Sequence, residues 1–204
     1  MISIIDYGLG NLKALANIYK RLNINVEFIK TDEQLKSAKK IILPGVGAFD
    51  HAMDQLNRSG MREKLDELVL VKKVPVLGIC VGMQMLANRS DEGKLKGLSW
   101  IDADIIKFDL NLINQKPQLP HMGWNDVNPI GNNPLFHKLG TNSIFYFLHS
   151  YYFSCNNPNN EIAKSEYGLD FTCAVNDNNI FGVQFHPEKS HQYGIQLLKN
   201  FANL

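Results

Sequence analysis

Two short stretches carry residue types that can do covalent chemistry together. The first is Val74-Pro75-Val76-Leu77-Gly78-Ile79-Cys80-Val81-Gly82-Met83-Gln84-Met85-Leu86. A β-branched apolar run leads into Gly78-x-Cys80-x-Gly82, and the helix formers Met83–Ala87 follow. This is the strand–turn–helix pattern of a nucleophile elbow with sulfur at its tip. A turn that sharp presses the positions two before and two after the tip against neighbouring backbone, so both must be nearly free of side chain. The start of the following helix favours thiolate over thiol. The Val81 amide points to where a substrate oxyanion would form, and one such donor is worth roughly 2.7–4 kcal/mol. A plainer reading, a small buried cysteine in a tight turn, accounts for the sulfur. It does not account for two spaced glycines, a strand and a helix arriving together.

The second stretch is Phe181-Gly182-Val183-Gln184-Phe185 running into His186-Pro187-Glu188. A thiol nucleophile needs a base to take its proton and return it to the leaving group, and a carboxylate to hold that base in one tautomer. His186 and Glu188 are two apart, and continued extended geometry through Pro187 puts both on one side of the chain. Alone, the pair reads equally as a surface His and Glu beyond an edge strand. With Cys80 it predicts a Cys–His–Glu triad. His51, His121, His137, His149 and His191 lack carboxylates at a telling spacing and read as structural or surface residues. Cys155 and Cys173 have no elbow context and read as packing residues. No His/Cys/Asp/Glu cluster has metal-ligand spacing, so neither metal nor cofactor is expected. Gly8-x-Gly10 lacks the third glycine of a dinucleotide fingerprint, since Lys13 stands there.

The elements that must hold these groups follow from periodicity. Ile2–Asp6 reads as a buried strand and Val26–Ile29 and Ile41–Leu43 as the next two strands, separated by helical stretches. Asn11 is placed to cap a helix through Leu22, whose apolar face is Leu12, Leu15, Ile18, Tyr19 and Leu22. Thr31-x-x-Gln34 is a capping-box signature. Pro44-Gly45-Val46-Gly47 ends the third strand and can bring a second backbone amide to the oxyanion. Helix from about Asp50 to Val71 then leads to the elbow strand. This alternation predicts right-handed βαβ units and a parallel sheet. Beyond Gly93, Trp100–Phe108 and Ile144–Phe153 read as strands, and Asn176-Asp177-Asn178-Asn179 as a hairpin turn between Phe171–Val175 and Ile180–Phe185. Tyr193–Phe201 closes as an amphipathic helix. With no linker or repeat, residues 1–204 read as one domain.

Composition narrows the class. A chain of 204 residues, 45% hydrophobic and 20% charged, fits one soluble globular domain. The net charge of +1 gives no argument for nucleic acid or an acidic membrane surface, and neither is expected as a partner. Three scattered cysteines do not make a disulfide framework and point to a reducing compartment. Met1–Asp6 has no basic region of an export signal, and no apolar run has transmembrane length. A cytoplasmic protein is expected.

Gly78-Ile79-Cys80-Val81-Gly82-Met83-Gln84 together with His186-Pro187-Glu188 resembles the triad, or class I, glutamine amidotransferases. Tyr7–Asn11, Pro44–Gly47, Pro120-His121-Met122-Gly123-Trp124-Asn125 and Phe147-Leu148-His149-Ser150-Tyr151 narrow the resemblance. They are similar to the glutaminase subunits of imidazole glycerol phosphate synthases along essentially the whole chain. The resemblance implies a three-layer, flavodoxin-like α/β fold with a mostly parallel central sheet. It implies Cys80 as nucleophile, His186 as acid/base and Glu188 as its orienting partner. Gln84 and the Ser150-Tyr151 backbone would hold the amino-acid end of glutamine, with Gly45, Val46 and Gly47 on the oxyanion side.

The implied partner is a (β/α)₈-barrel cyclase, in a heterodimer, making imidazole glycerol phosphate and an aminoimidazole carboxamide ribotide with the ammonia released. Asn11, Met122, Trp124 and Lys189 are the expected docking residues, with Met122 and Trp124 in a loop after Pro120. Trp124 reads equally as a core residue capping the sheet. Three alternatives remain from sequence. The stretch Glu92–Ala103 resembles paralogues serving another synthase, such as a surface-sugar amidotransferase. A cysteine-elbow ester or lactone hydrolase is countered by the adjacent His-x-Glu, and a non-catalytic binding subunit by the intact triad.

Overall fold

The computed structural model describes residues 1–141 and 143–204. Its first half alternates strand and helix: β1 (Ile2–Ile5), α1 (Leu12–Arg21), β2 (Val26–Ile29), α2 (Asp32–Leu35), β3 (Ile41–Gly45), α3 (Phe49–Arg58), α4 (Arg62–Asp66), β4 (Val76–Cys80) and α5 (Val81–Gln84). The second half is mostly strand: β5 (Arg89–Ser90), β6 (Ala103–Lys107), β7 (His121–Pro129), β8 (Ser143–His149), β9 (Tyr151–Cys155), β10 (Glu161–Glu166), β11 (Asp170–Asp177) and β12 (Ile180–Val183), before α6 (His191–Asn203).

The central sheet runs β2-β1-β3-β4-β12 with every neighbouring pair parallel. β1, β3, β4 and β12 are buried at every residue, as strands covered on both faces must be. Leu15, Ile18 and Tyr19 of α1 face inward, and α1 packs against α6, where the Tyr19 hydroxyl donates to Leu198 O at 3.2 Å. α3 packs against α5, and α2 against α4. The result is an α/β fold with a mostly parallel central sheet and flanking helices, continued by antiparallel β11, β10, β7 and β8.

Several local expectations change. Ile144–Phe153 is two strands, because the chain leaves the β7 pairing at Ser150 to join β6 and β11. Residues 121–129 form β7, so Met122 and Trp124 sit on a strand paired with β8, not in a loop. That strand alternates, with His121 and Val127 inward and Met122 and Trp124 outward, a pattern hidden by Gly123 and the polar residues around it. Asn11 occupies the cap position of α1, but its side chain makes no capping bond. Thr31 does cap α2, accepting from Gln34 N at 3.4 Å.

Candidate active site

The elbow is built by backbone pressed on backbone. A Cβ on Gly82 would lie 1.9 Å from Leu43 O, one on Gly78 2.6 Å from Gly82 O, and one on Gly45 2.4 Å from Gly82 N. Glycine at these positions lets the end of β3 lie directly against the turn. Cys80 sits at φ 56°, ψ −116°, a left-handed conformation costly for a side-chain-bearing residue. In the parallel ladder Gly45 is the partner of Cys80, so the Gly45–Gly47 segment leaves β3 beside the sulfur. The helix after the elbow is shorter than the run Met83–Ala87 suggests. α5 spans only Val81–Gln84, and the Leu86 and Ala87 amides bond three residues back in a tightened turn. A single turn aligns few peptide dipoles, so it contributes little field at the sulfur.

His186 and Glu188 meet on the neighbouring strand. His186 Nδ1 lies 2.9 Å from Glu188 Oε1, with both side chains almost fully buried. The contact does not come from continued extended chain. Pro187 begins a one-turn 3₁₀ helix through Lys189, and that turn swings Glu188 back beneath the ring. The His186 amide donates to Tyr146 O at 2.8 Å, fixing the base to β8. Burial pulls the imidazole pKa down, but Cys80 on one side and Glu188 on the other outweigh it and push it up to about 10. The other ring nitrogen, Nε2, is buried, and hydrogen bonding to Cys80 is the largest of the effects that raise the ring's pKa.

Cys80, His186, Val46, Gly47, Val81, Gln84, Ser150 and Tyr151 share one cavity of about 300 Å³. That is the size of a small-ligand site. The expected nucleophile, base and substrate-binding residues therefore open onto one space, with Glu188 behind His186. Of the expected oxyanion residues Val46 and Gly47 line it, whereas Gly45 does not and instead packs against the elbow as the ladder partner of Cys80. Glu92 and His149 line it too, and sequence reasoning missed both. Glu92 Oε2 accepts from Phe49 N at 2.8 Å, at the start of α3, which leaves its second oxygen for the cavity. Lone Glu92 carries no motif signal.

His149 belongs to a buried polar chain. It lies 3.0 Å from Nδ1 of His121 through Nε2 and 2.8 Å from Tyr151 O through Nδ1. Burial, and after it neighbouring His121, pushes His149 down to about 3, and burial pushes His121 down to about 4. Both are neutral near pH 7, which fixes the tautomers. His149 Nδ1–H donates to Tyr151 O, and His121 Nδ1–H donates to His149 Nε2. His121 Nε2 then accepts from Asn125 Nδ2 at 3.2 Å. The pair braces the Ser150-Tyr151 wall of the cavity, a role that carboxylate spacing could not reveal.

Leu148 lines the cavity and also belongs to an exposed apolar stripe. Across the β7–β8 ladder Met122 faces Leu148, Trp124 faces Tyr146 and Asp126 faces Ile144. Met122 is 63% exposed and Trp124 46% exposed, so Trp124 does not cap the core. Its ring stacks on His191 at 5.1 Å, and Lys189 lies over Tyr146. Among the described residues no group of three His, Cys, Asp or Glu is placed to hold a metal ion. No helix among them is long and apolar enough to cross a membrane. Cys173 is buried, and burial pushes its thiol up; burial likewise pushes Cys155 up to about 12.

Comparison with known proteins agrees with the chemistry of this site. The family model for glutamine amidotransferase class-I matches residues 3–203. The imidazole glycerol phosphate synthase subunit HisH of Bdellovibrio bacteriovorus is 58% identical over 208 residues, covering 100% of both chains. The subunit of the same name from Leptospira interrogans is 54% identical over 204 residues, again covering 100% of both. A solved structure described as a glutamine amidotransferase superposes with a TM-score of 0.77 at 18% identity, covering 99% of this chain and 97% of the other, a likeness of fold.

Proposed function

From the premise that the chain belongs to the class I glutamine amidotransferases, we propose that it is the glutaminase subunit of an imidazole glycerol phosphate synthase. It hydrolyses glutamine to glutamate and passes the ammonia to a cyclase. The observation that carries this is Cys80, held at positive φ on an elbow, opening onto one cavity with His186, which Glu188 holds from behind at 2.9 Å.

The Cys80 sulfur attacks the side-chain carbonyl of glutamine, and the oxyanion is held by the Val81 amide and an amide of the Gly45–Gly47 segment. His186, whose pKa is pushed up to about 10, against burial, by hydrogen bonding to Cys80 and Glu188, gives its Nε2 proton to the departing ammonia. The γ-glutamyl thioester left on Cys80 is hydrolysed by water, with His186 now accepting a proton. Glu188 accepts the Nδ1–H and fixes the ring. Gln84 donates its amide hydrogens to Gln184 Oε1 at 3.0 Å and Tyr151 O at 3.3 Å, so its own oxygen is left for the substrate. That oxygen and the Glu92 carboxylate suit the α-ammonium of glutamine, and the Ser150-Tyr151 backbone its carboxylate.

Ammonia set free in water is protonated and lost to synthesis, so its acceptor site must be reached directly from this cavity. The exposed stripe of Met122, Trp124, Ile144 and Leu148 reaches the cavity through Leu148, which lines it. Aromatic anchors of this kind dominate interface energetics. With Asn11 and Lys189 at the same carboxyl edge of the parallel strands, it forms the docking face for a (β/α)₈-barrel cyclase. The complex is a heterodimer that turns the ammonia into imidazole glycerol phosphate and an aminoimidazole carboxamide ribotide. Co-expression with that cyclase tests the reading: the two chains co-purify and couple glutamine hydrolysis to product. Trp124→Ala weakens their association by at least about 2 kcal/mol, roughly 30-fold in Kd, while the free chain keeps its melting temperature. Unchanged affinity, measured by titration calorimetry, would remove Trp124 from the interface.

A further inference from the structure

We infer that Gln184 is a fixed donor that steadies the Cys80 thiolate beside the two titratable groups facing the sulfur, His186 and the buried Tyr7, a task the one-turn helix after the elbow cannot perform. Gln184 follows β12, whose parallel register with β4 matches Val183 to Ile79, so the next step brings Gln184 alongside Cys80. Its side chain is fully buried. Nε2 points at the Cys80 sulfur from 3.8 Å. The orientation of that amide is not free, because Gln84 Nε2 donates to Gln184 Oε1 at 3.0 Å and so turns Gln184 Nε2 toward the sulfur. The Gln184 backbone is pinned as well, its N–H donating to Cys173 O at 2.8 Å.

The opposite side of the sulfur faces an acceptor, Leu148 O, at 4.0 Å. A thiol can donate to that carbonyl. A thiolate is repelled by it and accepts from Gln184, so the two neighbours discriminate the protonation states. A hydrogen bond from an N–H to a charged acceptor is about twice as strong as a neutral one. The same donor acts twice in turnover. It steadies the attacking thiolate, and it steadies the thiolate released when water cleaves the thioester carbon–sulfur bond. Gln184 is not among the residues lining the cavity, so it acts on the sulfur and not on bound glutamine.

The test is the rate of Cys80 alkylation by iodoacetamide against pH in the full chain, read at the Cys80 peptide by mass spectrometry. Gln184→Met keeps the bulk and removes the donor. The midpoint of its rate–pH curve rises by about one pH unit, a tenfold loss of thiolate at pH below both midpoints. Gln184→Glu keeps the acceptor for Gln84 but sets an oxygen against the sulfur, and its midpoint rises further. The kinetic arm rests on the glutaminase reading: kcat near pH 7 falls about tenfold in Gln184→Met, KM for glutamine holds, and kcat recovers as pH is raised. Alkylation reads the sulfur directly, so it separates failure of this inference from failure of that reading. A folded Gln184→Met chain with an unmoved midpoint overturns the inference. Should the variants not fold, the wild-type chain decides. Its Gln184 side-chain amide resonances shift across the alkylation midpoint and stop shifting in Cys80→Ala, whereas resonances that stay still through that range overturn it.

Discussion

Cys80→Ala abolishes glutamine-dependent synthesis in the complex with the cyclase and leaves synthesis from added ammonium intact. The loss of glutaminase activity exceeds about 10⁴-fold, as for removal of a nucleophile whose partners act only through it. The split between the two nitrogen sources distinguishes a lost nucleophile from a lost fold, because a misfolded subunit would also disturb the partner. His186→Ala follows closely, since without it neither the sulfur nor the ammonia has a proton partner. Glu188→Gln costs less, because Glu188 orients the ring from 2.9 Å and does not enter the cavity. The reverse order would exchange their roles. Stability follows the same charges. His186 titrates near 10 in the folded chain and near 6.5 unfolded, so its contribution is complete below about pH 6.5 and fades as pH rises toward 10. Glu188→Gln removes part of it, and the stability gap to wild type therefore narrows between pH 7 and 10 in denaturant titrations.

Gly82→Ala is the second large effect, and it acts on the fold. The added methyl would meet Leu43 O at 1.9 Å, with both partners in rigid backbone between two buried strands. Neither can give without opening the β3–β4 ladder, whose register runs from Ile41–Val76 to Gly45–Cys80. Overpacking of this kind costs about 3 kcal/mol or more, and for a chain of this size that is roughly 6–12 °C of melting temperature. Gly140→Ala, with nothing within 4 Å of the added carbon, is the matched control and melts as wild type. Whatever Gly82→Ala protein remains folded also loses activity, because the Gly45–Gly47 segment is pushed away from Cys80. Equal melting of the two variants would contradict the close-packed elbow.

The residues around Cys80 were legible because their constraints are local. A backbone–backbone approach admits only glycine, so Gly78-x-Cys80-x-Gly82 announces the turn whatever surrounds it. His186-Pro187-Glu188 was legible as a pair, although a 3₁₀ turn at Pro187, not extended chain, brings the carboxylate to the ring. The alternating half up to β4 was legible too, because β1, β3 and β4 are buried on both faces and read as unbroken apolar runs, while edge strand β2 is only partly buried. The second half was less so. β10 gave no signal, because its Glu161-Ile162-Ala163-Lys164-Ser165-Glu166 is largely polar and its pairing with β7 and β11 is long-range. The break at Ser150 is likewise set by which strands compete for each half, and nothing within Ile144–Phe153 records it. Gln184, His149 and Glu92 were missed because each acts through a neighbour distant in sequence. Gln184 lies just past the end of β12, and only the register of that strand with β4 brings it beside Cys80.

Turnover by this mechanism passes through a covalent thioester on Cys80. Mixing the cyclase complex with glutamine, quenching in acid within the steady state and mapping peptides by mass spectrometry tests it most directly. The expected result is a γ-glutamyl adduct confined to the peptide carrying Cys80, more abundant when hydrolysis of the thioester is slowed and absent in Cys80→Ala. Glutamate release without any adduct, or an adduct on Cys155 or Cys173, would contradict it.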